Sequence, residues 1–463
     1  MPHSPRAALQ KQRLPAMYGR VDFEAVPERF TIAPGERTAL EAMGKHDPAR
    51  REQLLANRPL VDLMRAYTLQ GDPVADAYAN LIPTRGFRLL VSMLELACDK
   101  GIEAVHDAPP ELGALLDEMS ATPDWIDMQL VEEGAQASRN VMAHLAPLVI
   151  RGAFFGTFTN KYAALPMALT GALSHETAGK RVLETATFFT VTTLPGALTR
   201  HGAGFKAAAM VRLMHSMVRF HALTKPGHWD TSVFGIPIPQ VDQIPAGLKA
   251  SYLLAQRALK AGRDFHRSER AQVELARYRC FLLGLPKELL PQTPQALVDV
   301  LDTRSATLRD GFDDATCGSL IRSTMAADLG RDAGLIGRVR SAAEPSAAKL
   351  YFVRNYFGGD FDRAASIGIH VKPTDYLWNA VGLLFSILPM IGFAVAARIT
   401  PLRNAADGVV TRKIERLLGR YGQSHFTTDS ASYRPVKGWG AWAGGTAGWR
   451  CCPGCRRRWR RAR

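Results

Sequence analysis

An arginine–histidine–arginine group is the sequence feature with the clearest chemical potential. It lies in the apolar stretch "RLMHSMVRFH", in which Arg212, His215 and Arg219 are spaced three and four residues apart. On an α-helix this spacing places all three side chains on one face. Two nearby cations favour the neutral imidazole, which is the form that binds a metal. Judged by residue types alone, His215 is either a core histidine with a satisfied hydrogen bond, the commoner case, or the ligand of a buried metal or haem.

A second polar group precedes the first, in the stretch "GKRVLETATFFTVTT". Arg181, Thr185 and Phe188 recur at helical spacing and therefore share one face. A cation, a hydroxyl and an aromatic ring facing one way could line a pocket that is mostly apolar with a few polar groups. The alternative is an ordinary amphipathic helix with a solvated arginine.

The elements that must position these groups are helices. Apolar periodicity and Pro, Gly or Asp punctuation predict helices at Val61–Gln70, Arg88–Lys100, Pro110–Met119, Trp125–Met142, Lys180–Thr193, Phe205–Leu223, Leu248–Gly262, Ser268–Leu283 and Thr293–Asp302. Convincing alternating strand patterns are nearly absent. We interpret Gly227–Gln243 as an ordered loop, because its prolines would remove ladder donors from a strand. The predicted class is all-α.

Composition bounds the function classes. The chain has 463 residues and is 47% hydrophobic, which is enough for one large or two medium domains. Its net charge of +15 falls to +8 without the seven arginines that follow residue 449. We therefore expect no nucleic-acid partner, since no basic stripe crosses a recognisable binding module. Cys98, Cys280 and Cys317 are isolated and are predicted to be small buried hydrophobes.

Several motifs in order give the chain a family resemblance. It resembles the rubber oxygenases (latex clearing proteins) and the fungal endoplasmic-reticulum oxygenases that shorten a prenyl side chain. The resemblance extends from about Gly71 to about Pro345. It is carried by "GDPVADAY", "TPDWID", "RGAFFGTFTNKYAALPMALTGALS", "RVLET", "VRLMHSMVR", "FGIPIPQVDQ" and "YRCFLLGLPKELLPQTP". Each motif alone is weak, but their order and spacing together are specific.

The resemblance implies a globin-like helical haem-binding core with additional helices. In the haem-containing members, the histidine that matches His215 is the proximal iron ligand of a non-covalently held haem b. The sequence contains no C-x-x-C-H attachment motif. The residues that match Arg181 and Thr185 are catalytic on the distal side, where they polarise dioxygen. Arg212 and Arg219 are candidates for cofactor binding through the haem propionates, or for helix–helix salt bridges.

One position departs from the family pattern. Rubber-cleaving members are expected to carry a lysine where this chain has Glu184, which reverses a charge beside the catalytic pair. This departure argues against rubber cleavage itself and makes Glu184 a third candidate catalytic residue, expected near the rim of the pocket. The resemblance therefore implies a haem-dependent oxygenase that acts on a small lipophilic, isoprenoid-like or unsaturated substrate with dioxygen. The alternative is a non-catalytic, membrane-associated helical protein that binds haem or lipid.

The sequence divides into four parts. We expect an N-terminal extension at 1–59, the oxygenase catalytic domain at 60–345, a C-terminal helical region at 346–425 and a disordered Arg/Trp-rich tail at 426–463. The tail contains a lone C-x-x-C, which lacks the two further ligands that a zinc site needs.

The C-terminal region contains a possible transmembrane segment. Tyr376–Ala397 carries no charge and is long enough to cross a bilayer, although a buried helix of the same domain is nearly as good an interpretation. Val409–Tyr421 suits an interfacial helix on anionic lipid or an amphipathic helix packed on protein. The first residues hold no apolar core of secretory-signal length. We therefore expect a membrane-associated or cytoplasmic protein that is not secreted.

Overall fold

The fold is helical throughout the part of the chain that the structure describes. The structure is a computed structural model, and it describes residues 12–42, 47–169, 178–329, 334–397 and 399–421. Within these residues, extended pairing is limited to two isolated bridges, Phe30 with Leu308 and Thr38 with Arg309. The predicted all-α class is confirmed. The predicted tail at 426–463 lies outside the described residues.

The helices are labelled α1 to α20 in chain order. They span Ala39–Ala42, Pro48–Ala56, Arg58–Ala66, Pro73–Ala79, Ile82–Arg85, Phe87–Lys100, Pro110–Ser120, Met128–Thr157, Lys161–Leu169, Ala178–Val191, Ala203–Thr224, Thr231–Phe234, Gln240–Lys260, Arg267–Leu282, Pro294–Thr307, Ser319–Ala326, Gly334–Tyr356, Phe361–Ser366, Pro373–Ala396 and Thr400–Tyr421. The site discussed below involves α4, α10, α11 and α13.

Local sequence signals explain where the helices begin. The Asp72 side chain accepts hydrogen bonds from the backbone N–H groups at the start of α4, and Pro73 takes the first helical position. Asp127 caps α8 in the same way. The helix predicted at Trp125–Met142 therefore starts later than expected, and it continues to Thr157 because the residues after 142 remain predominantly apolar.

The loop predicted at Gly227–Gln243 is partly wrong. Asp230 caps the short helix α12, since its carboxylate accepts from the backbone N–H of Ser232 at 2.9 Å. Pro239 is extended, and α13 begins directly after it at Gln240. Gln240 and Gln243 therefore lie on the first turn of a helix rather than in a loop.

Two large apolar clusters form the main core. One includes Leu94 of α6, Leu115 of α7 and Leu213 of α11. The other includes Leu248 of α13 and Leu297 of α15. Helix α14 contributes to both clusters and also packs along α8, so it joins them. The three predicted core cysteines, Cys98, Cys280 and Cys317, are buried and free, as expected.

The last two helices pack onto the long helix α8. Val410 and Ile414 of α20 are buried against Ala143 of α8, and Arg139 of α8 forms an ion pair with Asp407 of α20. The segment Val409–Tyr421, expected either on lipid or packed on protein, therefore has its apolar face on protein. Helix α17 runs across the predicted domain boundary at residue 345 without interruption.

Helix α19 has two different faces. One face packs against α17 and α8, where the Asn140 side-chain amide donates to the Met390 carbonyl at 2.7 Å. The other face exposes large apolar side chains, among them Leu377, Leu384, Leu388, Ile391 and Val395. Among the described residues, α19 is the one helix long and apolar enough to cross a membrane.

Candidate active site

Two buried ion pairs fix the helix that carries the histidine. Arg212 of α11 donates to both carboxylate oxygens of Asp72, and its Nη2 also reaches Glu118. One turn beyond His215, Arg219 donates from Nε to the Asp76 carboxylate at 2.8 and 3.0 Å. Asp72, Asp76, Arg212 and Arg219 are all at most 1% exposed. Both arginines thus form salt bridges between helices, one of the two roles expected for them, while the propionate-binding role stays a prediction.

The backbone around these pairs is shaped for close approach. A side chain at Gly71 would lie 2.6 Å from Nε of Arg219, so only glycine leaves room for the arginine. Nη1 of Arg219 donates to the Ile238 carbonyl at 3.0 Å. Ile238 has a φ of 48°, which β-branched residues rarely adopt. The motif "FGIPIPQVDQ" thus delivers a carbonyl to Arg219 at the cost of local strain.

A relay of side-chain amides orients the His215 ring. Nδ1 of His215 lies 3.1 Å from Oε1 of Gln243, and the amide of Gln243 donates to Oε1 of Gln240 at 3.0 Å. The amide of Gln240 in turn donates to the carbonyls of Gly71 and Gly284, both at 2.9 Å. Because Gln243 presents its oxygen, Nδ1 must carry the proton. Nε2 therefore holds the lone pair.

His215 is held in its neutral form. Burial, together with the positive charges of Arg219 and Arg181, lowers the pKa of His215 to about 4, against the opposing effects of Gln243 and Asp72. Arg181 lies on α10, which packs against α11, and its positive charge acts on the imidazole across that contact. A neutral ring with a protonated Nδ1 is the state in which Nε2 can bind a metal.

Glu184 accompanies Arg181 on α10. Its carboxylate lies 3.0 Å from Nη1 of Arg181 and 3.8 Å from Nζ of Lys180. Glu184 is only 6% exposed, and burial raises the pKa of its carboxyl group; its place at the rim of a haem pocket stays a prediction. Thr185 is partly buried one turn after Arg181 on the same face. Glu184 is thus the carboxylate partner of Arg181.

The residues around His215 fit a haem group by their donor chemistry. A haem iron needs one neutral imidazole from the protein, and outer hydrogen bonds commonly fix the orientation of such a ligand. His215 and Gln243 provide this arrangement. Within the described residues, no three His, Cys, Asp or Glu side chains group as a metal site. Whether Arg181, Thr185 and His215 share one haem-sized cavity stays a prediction, because residues 170–177 before α10 lie outside the described ones.

Sequence patterns identify His215 but not the residues that support it. Asp72 and Asp76 are four residues apart in "GDPVAD", and Arg212 and Arg219 are seven residues apart on a helix. Each pair therefore lies on one side of its segment, so the two acids and the two arginines could have been recognised as possible partners. Gln240 and Gln243 were missed because their segment was interpreted as a loop. Their spacing of three residues on a helix is what allows one amide to hold the next.

Comparison with known proteins supports the resemblance. Residues 139–343 match the family model described as "ER-bound oxygenase mpaB/B'/Rubber oxygenase, catalytic domain". Among solved structures, the chain is similar to that of latex clearing protein LCP in the closed state. The TM-score is 0.53 at 18% sequence identity, over 76% of this chain and 91% of that chain. This likeness shows the fold. No curated protein matches the chain significantly. The predicted resemblance to this family is confirmed over residues 139–343.

The relay predicts a defined imidazole tautomer. In the wild-type protein, ¹⁵N NMR of the histidines should show His215 with its proton on Nδ1. Replacing Gln243→Leu removes the acceptor and should leave a mixture of tautomers, whereas the exposed Gln295→Leu should change nothing. An unchanged Nδ1–H signal in Gln243→Leu would mean that another group orients the ring.

Proposed function

We propose that this chain is a haem b-dependent oxygenase with His215 as the iron ligand, since residues 139–343 match the family model of the mpaB-type and rubber oxygenases. The observation that carries the proposal is the neutral His215 ring, whose Nδ1 is engaged by Gln243 and whose Nε2 is available. Haem bound there would supply a redox-active iron for reaction with dioxygen. The protein would contribute by positioning the haem through His215 and by keeping the imidazole ring neutral.

Arg181 and Thr185 are the proposed catalytic side chains. They share a face of α10, which packs against the helix that carries His215, and the charge of Arg181 contributes to lowering the pKa of His215. In that position a guanidinium and a hydroxyl would be able to donate hydrogen bonds to an oxygen atom that gains negative charge, without reorganising during the reaction. Their helix is fixed against α8 and α11, so the donors are preorganised.

Glu184 is proposed as the residue that tunes Arg181. Its buried carboxylate bonds to the guanidinium and reduces the net positive charge that a substrate or oxygen meets. A lysine at this position would instead add a second cation. We propose that this difference directs the chain away from rubber and towards another lipophilic, isoprenoid-like or unsaturated substrate. Such a substrate is held by apolar burial, at about 25 cal/mol per Å².

Loss of either proposed catalytic donor should abolish turnover while haem stays bound. We expect Thr185→Val and Arg181→Ala to reduce oxygen consumption with a lipophilic alkene by about a hundredfold or more, as for loss of other charge-stabilising donors. The Soret band should persist in both variants. Thr187→Val is the matched control, since Thr187 is partly buried on another face of the same helix.

Two outcomes contradict this part of the proposal. If Thr185→Val and Thr187→Val retain equal activity, the hydroxyl of Thr185 plays no role in turnover. If the wild-type protein binds haem but consumes no oxygen with any alkene offered, the alternative of a non-catalytic haem- or lipid-binding protein is favoured.

We further propose that the exposed face of α19 contacts a membrane. Leu377, Leu384, Leu388 and Val395 present a continuous apolar stripe 48–66% exposed, which a soluble surface rarely carries. Because the opposite face of α19 packs on α17 and α8, the body of the protein would sit directly against the bilayer. A lipophilic substrate could then pass from lipid to protein.

Charges on that stripe should release the protein. The double substitution Leu384→Glu and Leu388→Glu should move the protein from the membrane pellet to the soluble fraction, since each charge in a bilayer costs about 2.5–3.5 kcal/mol. Leu335→Glu is the control, because Leu335 is 71% exposed but lies on α17 outside the stripe. Truncation after Pro345 is a poorer test, since it cuts α17 and uncovers α8. A doubly substituted protein that still pellets would place the membrane contact elsewhere.

A further inference from the structure

A ligand-sized cavity lies away from His215, between α8, α17 and α19. Its volume is about 460 Å³, within the range of about 300–1,000 Å³ usual for ligand pockets. Its walls include Leu148 of α8 and Leu383 of α19, and neither His215 nor Arg181 lines it. Leu329 on its wall packs with Val182, which lies on a different face of α10 from Arg181. The cavity is therefore separate from the proposed active site.

The polar side of the cavity carries an excess of positive charge. Arg151 and Glu344 neutralise each other through contacts of 2.8 and 2.9 Å. The remaining charged side chains on the wall are Arg338, Arg340 and Asp328, which makes two cations and one carboxylate. Arg338 is exposed and Arg340 is half-buried, so both can be reached by a ligand.

A buried histidine points to a missing hydrogen-bond partner. His144 lines the cavity and is only 5% exposed. Its Nδ1 lies 2.8 Å from the Asn140 carbonyl and carries the proton, while Nε2 is buried without a hydrogen-bond partner among the described residues. Arg340 donates to the His144 backbone carbonyl at 3.1 Å, so the guanidinium is anchored at the residue that carries this ring. A buried polar atom left unpaired in this way is costly.

The other walls of the cavity are apolar and adjoin the stripe on α19. Leu145, Leu148, Leu383 and Leu417 line it, and they come from three helices. Leu383, which lines the cavity, directly precedes Leu384 of the exposed stripe. One turn of α19 therefore has one face on the cavity and the other on the outer surface of the protein. An acyl chain could therefore leave lipid and remain in contact with apolar side chains.

We propose that this cavity binds an anionic amphiphile, with the head group on Arg338 and Arg340 beside His144 and the acyl chain along the leucines. Arginine pairs strongly with carboxylate and phosphate oxygens. The required chemistry is shared by a free fatty acid and by an anionic phospholipid. The site does not depend on the haem proposal.

The test is a calorimetric titration of the full chain with oleate below its micelle concentration. The wild-type protein should bind one oleate, and Arg340→Gln should weaken binding about tenfold through loss of one charge-assisted contact. Leu148→Trp, which fills the apolar part of the cavity without changing charge, should weaken binding as well. Arg354→Gln is the control, because Arg354 is exposed on the same helix but does not line the cavity.

Two results would overturn the proposal, and a second arm separates the ligand sources. No oleate binding by the wild type, or equal binding in Arg340→Gln, Leu148→Trp and Arg354→Gln, means that the cavity takes no anionic amphiphile. Vesicles of phosphatidylcholine with and without phosphatidylglycerol provide the second arm. If phosphatidylglycerol vesicles displace oleate from the wild type, a membrane phospholipid occupies the site. If they do not, the occupant is a free fatty acid.

Discussion

The arrangement of this protein around His215 depends on two buried ion pairs. Arg212 and Arg219 flank the histidine on α11, and Asp72 and Asp76 hold them from α4 and its cap. Removing one partner of such a pair leaves an unpaired buried charge, which costs about 3–5 kcal/mol. Helix α11 can therefore neither rotate nor slide without losing both pairs. His215, which lies between the two arginines, is therefore held in a fixed position.

The same constraint sets the electrostatics of the site. Arg219 has its charge matched by Asp76, yet it remains near enough to disfavour a protonated imidazole. Gln243 then decides which ring nitrogen carries the proton. On the facing helix, Glu184 matches Arg181 in the same manner. Each cation near the ring thus has a carboxylate of its own, and the ring itself is left neutral.

Sequence patterns predicted the helices well and their long-range partners poorly. The periodicity of Phe205–Leu223 and the spacing of Arg181 to Thr185 are local, so they could be predicted from the sequence. The pairing of Arg212 with Asp72 joins residues 140 positions apart, and no local pattern reports it. Gln243 was missed because the last proline of the predicted loop, Pro239, directly precedes a helix that begins at Gln240. The domain boundaries and the roles of the site residues stay predictions.

Haem titration of the purified chain tests the central claim most directly. The account predicts that the wild-type protein takes up one haem with a Soret band typical of histidine ligation, and that His215→Ala abolishes or shifts this band. His221→Ala should behave as the wild type, although His221 lies on the same helix, is buried and has a pKa likewise lowered by burial to about 4. If His215→Ala binds haem with an unchanged spectrum, His215 is not the ligand and the account of this site is wrong.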